Sequence, residues 1–268
     1  MLKGISHIFT IAQNTFRESI RDKILYNIIF LAVGLVAFTI ILGEWSVFDR
    51  AHVIKTTTLT IMSFSGLLIS VFIGISLVQK EIQKRTVLTL LSKPIYRIEF
   101  IVGKYFGLLA VITVNLALLT GIFYLILWAT HSSPSLDLLQ AVYLIFCEMA
   151  IVIAVALLFS SFSSPVLSAL FTLGIYIAGH LSDQLLEQVR FVQRMGEIQG
   201  AESAVLERAA AIIHAVFPGL YRYNVSGYVV YQIPLPDHYL LWNSLYALGY
   251  IGIFLVVASW WFSRRDFL

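Results

Sequence analysis

The stretch 79–100, QKEIQKRTVLTLLSKPIYRIEF, places Lys80, Glu81, Lys84, Arg85, Lys93, Arg97 and Glu99 between two runs, 58–78 and 105–130, that carry no charged side chain at all. Each run approaches or exceeds the roughly 20 apolar residues that a helix needs to cross a bilayer. A charged, proline-containing insert between them reads as the water-exposed connection of two membrane spans. Working outward, four further windows are comparably apolar, at 24–43, 138–159, 166–181 and 239–262. All six are continuous rather than alternating, which points to helices and away from a β-barrel. The composition agrees. Of 268 residues, 59% are hydrophobic and 12% charged, against about 25% charged in a soluble globule. The expected fold is all-α and polytopic, with six transmembrane helices and the lipid bilayer as the first partner. The window at 166–181 is short. At about 1.5 Å per residue it reaches only ~24 Å, so it is either a broken or half-depth helix or one that continues into the loop after it.

Lysine and arginine set the orientation. Lys3, Arg17, Arg21 and Lys23 precede the first span, Lys80, Lys84, Arg85, Lys93, Arg97 and Lys104 fill the insert, and Arg264 and Arg265 follow the last span. With six spans these fall on one side. The other side holds Arg50, Lys55 and the arginines of a loop long enough to be discounted by the rule. The topology is therefore N-in and C-in, in the inner (cytoplasmic) membrane of a cell. The apolar run begins only near Ile24, unlike a cleavable signal peptide. Cys147 is the only cysteine, so neither an intramolecular disulfide nor a cysteine-rich metal site is expected.

The chain divides into an amphipathic N-terminal segment 1–23, spans one to five over 24–181, an outer loop 182–238, and the sixth span with a tail over 239–268. In the first segment Ile5, Ile8, Phe9, Ala12, Phe16 and Ile20 recur at helical spacing. They suit an elbow helix lying in the membrane interface or, alternatively, a helix packed on protein. In the second span Thr60, Ser63, Gly66, Ser70 and Gly74 form a stripe of small residues, read as close helix packing or as the lining of a polar pathway. The outer loop is patterned. Leu185, Val189 and Val192 suggest one amphipathic helix, and Ala204 to Phe217 suggests another, ended by Pro218-Gly219. Tyr221, Tyr223, Tyr228, Tyr231 and Tyr239 then suggest residence at the outer interface. A small helical cap is expected.

Recognisable catalytic chemistry is missing. The histidines form no metalloprotease pair and no G-x-S-x-G elbow occurs. A site shared by His180, His214 and His238 would depend on how the outer loop folds, because nothing in their spacing joins them. Gly103-Lys104-Tyr105 fails the phosphate-loop pattern, which would need glycine at Ile98 and Ser or Thr at Tyr105. No cofactor, metal or nucleic-acid partner is expected for this chain. Glu148, near the middle of span four, is the one acidic group placed deep in the membrane. Its insertion cost of a few kcal/mol (~3) marks either an internal pairing or a functional site. Asn115 is a second intramembrane polar candidate.

The insert itself carries more than positive charge. Ile82, Val87, Leu88, Leu90 and Leu91 can form the apolar side of a short helix, and Pro94 stops it near Ser92. Beyond a topology signal, these features suit docking to a partner. The segment EIQKRTVLTLLSKPIYRIEFIVGKYFG resembles the loop between spans two and three of ABC-2 type transporter permeases, with its E-x-x-x-x-T-x-x-x-L-L-S-K-P-x-x-R pattern followed by G-K-x-x-G. Glu81, Thr86, Leu90, Leu91, Ser92, Lys93, Pro94, Arg97, Gly103, Lys104 and Gly107 match, while Arg85 stands where members often have glycine. The elbow, the six spans and the terminal SRRDFL extend the likeness over most of the chain. The long outer loop is similar to the branch that includes the permease of nitrous-oxide-reductase maturation. The resemblance implies a permease without its own ATPase site, paired with a second permease copy as a homodimer and with two ATPase subunits that bind ATP and Mg. It also implies that residues 79–104 hold a coupling helix. There Ile82, Leu88 and Leu91 would dock on the ATPase and Lys84, Arg85, Lys93 and Arg97 would orient them, with Glu81 and Pro94 completing the coupling segment. Loop 182–238 could then engage an extracytoplasmic protein.

Overall fold

A computed structural model describes residues 2–45, 49–83, 97–131, 135–195, 208 and 217–264. Among them every regular element is helical: α1 (Leu2–Ile20), α2 (Lys23–Trp45), α3 (Arg50–Gln83), α4 (Arg97–Ala129), α5 (Asp137–Phe162), α6 (Pro165–Met195), a 3₁₀ turn η1 (Leu220–Tyr223), α7 (Ser226–Val230) and α8 (Tyr239–Arg264). Six of these, α2 to α6 and α8, are long and apolar enough to cross a membrane. The protein is thus an all-α, multi-pass membrane protein.

Local chemistry sets the boundaries. The Asp22 carboxylate accepts the Ile24 N–H at 3.0 Å and separates α1 from α2, and Asp49 accepts the Ala51 N–H at 3.0 Å as α3 begins. Such side-chain oxygens satisfy donors that a helix start leaves unpaired. Pro165 opens α6, where its missing N–H costs nothing. The fifth span is neither broken nor half-depth. Its helix continues beyond the apolar window to Met195, so Leu185, Val189 and Val192 belong to it rather than to a separate helix. The helix expected over 204–217 lies outside the described residues apart from Arg208 and the turn at Phe217.

Short connections make consecutive spans antiparallel. One end of the bundle carries α1, the end of α3 and the start of α4. The other carries η1 and α7, and these are the elbow end and the cap end below. The axis is α5, in which every residue from Cys147 to Leu157 is buried. A helix apolar all round is one surrounded by others, and α5 touches α3, α4, α6, α8, η1 and α7. Leu241, Trp242, Leu245, Leu248, Ile253 and Val256 leave an apolar outer face on α8, as suits a span at the bundle's edge. Phe100 of α4 stacks on Phe262 of α8 at 5.4 Å between ring centres, closing the elbow end.

The elbow helix lies along α4. A Cβ at Gly103 would sit 2.7 Å from the Ile11 Cβ, and one at Gly107 would sit 2.7 Å from the Ala12 carbonyl oxygen. The spacing G-K-x-x-G therefore makes a notch into which α1 fits, with Thr15 and Ser19 buried against protein and Phe9 left exposed. The helix thus packs on protein along one face and leaves the other open. Lys104, counted above among the basic residues of the insert, is 1% exposed. Its ammonium lies 5.4 Å from the Phe100 ring centre. It is part of the packed α4 and not of a solvated rim.

Candidate intramembrane site

The coupling residues divide at the edges of the described structure. Glu81 and Ile82 fall on the last turn of α3 and Arg97 is the first residue of α4. Lys84, Arg85, Leu88, Leu91, Lys93 and Pro94 lie outside the described residues, and with them the short helix and its proline stop. What surrounds that segment is defined. His7 of the elbow stands 3.2 Å from the Glu99 carboxylate, in the first turn of α4. Gly4 packs so closely that a Cβ there would lie 2.8 Å from the same carboxylate.

A second cluster forms inside the bundle. Glu148, halfway along α5, is 2% exposed. Its Oε2 accepts a hydrogen bond from Ser63 Oγ of α3 at 3.4 Å, and Ser63 Oγ is 3.4 Å from the Tyr176 hydroxyl of α6. Its Oε1 is 3.3 Å from Nε2 of His180, one turn further along α6. That approach is close enough for an ion pair but lies off the line of a hydrogen bond, and Oε1 has no hydrogen-bond partner among the described residues. His180 Nδ1 meets the Tyr176 carbonyl at 3.2 Å. A carbonyl only accepts, so Nδ1 carries a proton and Nε2 is the nitrogen whose protonation varies. One proton held at Nε2 or at the carboxyl makes the pair neutral overall. A low-dielectric site favours that neutrality.

These groups line a cavity of about 220 Å³, bounded also by Thr60, Phe64 and Ile145 and, on the cap side, by Tyr223, Asn224 and Ser226. Among the described residues of this lining, Thr60 and Phe64 on α3 and Asn224 in the cap are exposed. Part of the stripe of small residues on α3 is closely packed. Gly66 packs on Met149, where a Cβ would fall 2.8 Å from Cγ, and Gly74 packs on Ala156 and Leu108. Nearer the cap, Thr60 and Ser63 border open volume. Asn115 is elsewhere. Its amide donates to Ser65 Oγ at 3.3 Å, so the two intramembrane polar candidates are not brought together.

The cap is threaded into the bundle. Leu220, Tyr223, Val225 and Val229 are buried. The Tyr223 hydroxyl donates to the Asn243 carbonyl at 2.9 Å, Tyr239 donates to the Arg222 carbonyl at 2.6 Å, and Tyr246 accepts the Gly219 N–H at 2.8 Å. Burial raises the Tyr223 hydroxyl above the usual phenol range, so it remains a donor. The bond from Arg222 to the Tyr221 hydroxyl raises the guanidinium further. Arg222 also lies 5.1 Å from the Tyr246 ring centre. Gly179 seats the cap on α6, since a Cβ there would lie 2.6 Å from the Pro218 carbonyl oxygen. Of the tyrosines assigned above to the membrane interface, Tyr223 belongs to the protein interior instead, while Tyr231 is exposed and meets His52 in a tilted ring contact at 4.4 Å.

His180 is the neighbour of Glu148 that sequence reasoning did not attach to it. The available signal was its spacing of four from Tyr176, which puts two polar aromatic side chains on one face of a membrane helix. Among the described residues no group of three potential ligands gathers for a metal ion. His180 faces the carboxyl of Glu148 rather than His238, and His214 lies outside the described residues. A family model described as ABC-2 family transporter protein matches residues 9–267, nearly the whole chain. No curated protein matches it.

Proposed function

Because this chain belongs to the ABC-2 family of transporter proteins, we propose that it is the permease subunit of an ATP-binding cassette exporter, driven by a separate ATPase. Two permeases, as a homodimer, and two ATPases that bind ATP and Mg make the working unit in the cytoplasmic membrane. The sequence supports this division of labour, since Gly103-Lys104-Tyr105 lacks the remaining phosphate-loop residues.

The observation that carries the reading is where the elbow helix ends up. It is latched to α4 by His7 and Glu99 at 3.2 Å, directly after the segment that bears the family's coupling residues. A push on residues 84–96 or on α1 would therefore reach the same two helices, α3 and α4, and α5 packed between them and α6. ATPase closure would bias the dimer between inward-open and outward-open states, a coupling between two distinct sites. Double charge reversal, Arg85→Glu with Arg97→Glu, is expected to abolish copurification of the ATPase and substrate-stimulated ATP hydrolysis. Unchanged copurification and hydrolysis in that variant would refute the docking role.

A second reading is favoured by the cap. Tyr223, Tyr239 and Tyr246 tie it to α8, and Gly179 ties it to α6. Movement of the spans would pass to loop 182–238 and act on an extracytoplasmic protein with nothing crossing the membrane. Deleting 196–216 separates the readings: a mechanotransmitter loses partner binding, whereas an exporter keeps transport.

A further inference from the structure

The cavity below the cap has a definite chemistry. Its walls are largely apolar and aromatic, and its polar floor is the carboxyl of Glu148, itself 2% exposed. One oxygen of that carboxyl is already bonded, by Ser63. The other, Oε1, has no hydrogen-bond partner among the described residues. A buried oxygen left in that condition costs on the order of 1–3 kcal/mol, or more if charged, which a donor from a bound molecule would remove.

Charge and size narrow the class of that molecule. An anion would meet the carboxyl, with no lysine or arginine among the described residues of the lining to offset it. A hard divalent cation wants about six oxygens, and the site offers one carboxyl, a few hydroxyls and a hydrocarbon wall. A monocation with N–H donors and an apolar body satisfies each surface: the ammonium pairs with the Glu148 carboxyl, and the aromatic lining at Phe64 and Tyr176 suits its charge. A cavity of 150 Å³ holds benzene in another protein, so about 220 Å³ accommodates one ring with a short chain.

We propose that the cavity enclosed by α3, α5, α6 and the cap is a binding site for a small primary amine with an apolar body, its ammonium held by Glu148 and positioned by Ser63, Tyr176 and His180. When the ammonium enters, the single proton shared by Glu148 and His180 is released to water, so the site stays neutral. The titratable groups facing Glu148 are His180 and Tyr176 from α6, Tyr223 from η1 and Cys147 on α5, while α3 presents Ser63. Binding requires no transport, and only the term cargo would rest on the exporter reading.

The test uses the full chain in lipid nanodiscs, with 2-phenylethylamine as the probe and uncharged 2-phenylethanol as its near-isostere, both followed by equilibrium dialysis. The expected result is saturable binding of one amine per chain, at least tenfold tighter than the alcohol and at least tenfold weaker in Glu148→Gln. Thr60→Trp, which fills the cavity and keeps the carboxyl, is expected to abolish binding, so the proposal stays testable if Glu148→Gln does not fold. Absence of saturable amine binding, equal binding of amine and alcohol, or undiminished binding in a folded variant would overturn it. Failure here leaves ATPase docking at Arg85 and Arg97 untouched, since that is read by copurification.

Discussion

Two halves of one helix face invite comparison. Toward the elbow end, Gly66 and Ser70 of α3 close against Met149 of α5, tightly at Gly66, and Gly74 lies beside Ala156. Toward the cap end, Thr60 and Ser63 continue the same spacing, yet they face a cavity. The small residues are alike. What differs is the opposite wall. Below, α5 supplies a flexible thioether and small apolar groups that fill the gap. Above, it supplies Ile145 and Glu148, and the cap stands off at Asn224 and Ser226. In a bilayer, where apolar lipid gives little drive for helices to associate, close van der Waals fit is a main source of adhesion. The lower half holds the bundle, and the upper half is released to hold something else.

Substitutions can break or sharpen that contrast. The largest effect is expected for Gly66→Leu, whose first added atom would already lie 2.8 Å from Met149 Cγ. Overpacking of this kind costs about 1–3 kcal/mol, read as a lower thermal midpoint of the purified protein in detergent. Gly179→Leu comes next. It strikes the Pro218 carbonyl, a backbone group that cannot rotate away, and is expected to unseat the cap. The readout is faster tryptic cleavage after Arg222 with the membrane helices intact. Tyr223→Phe removes one buried bond to Asn243 at a cost of about 1 kcal/mol. Smallest is Thr60→Val at the cavity wall, where a change within about 0.5 kcal/mol is expected. If Gly66→Leu and Thr60→Val shift the midpoint equally, the two halves do not differ as described.

The spans and the charged insert were legible because hydropathy reports them directly. A bilayer tolerates neither charge nor unpaired backbone, so helices of sufficient length must follow. The extent of α6 was not legible, because the apolar window ends near Leu181 where the membrane would end, while helical hydrogen bonding runs on to Met195. Lys104 was misplaced for a related reason. Its charge suggested water, but its side chain is buried, with the ammonium over the Phe100 ring that stacks on Phe262 of α8. Glu148 stood out at once as an expense needing compensation. Its partner did not, because pairing depends on which faces of α5 and α6 meet, and one helix's periodicity says nothing of its neighbour's rotation. The same gap hid Tyr223, whose abundance class suggested lipid headgroups and whose hydroxyl found the Asn243 carbonyl.

The length of α3 has its own implication. Its 34 residues run unbroken from Arg50 to Gln83, a rod of about 51 Å by the α-helical rise, against a hydrocarbon core of about 30 Å. With His52 near one tip in ring contact with Tyr231 of the cap region and Gln83 adjoining the charged insert at the other, the two aqueous faces are joined by a strut without a hinge. A tilt imposed at either tip must appear, reversed in sense, at the other.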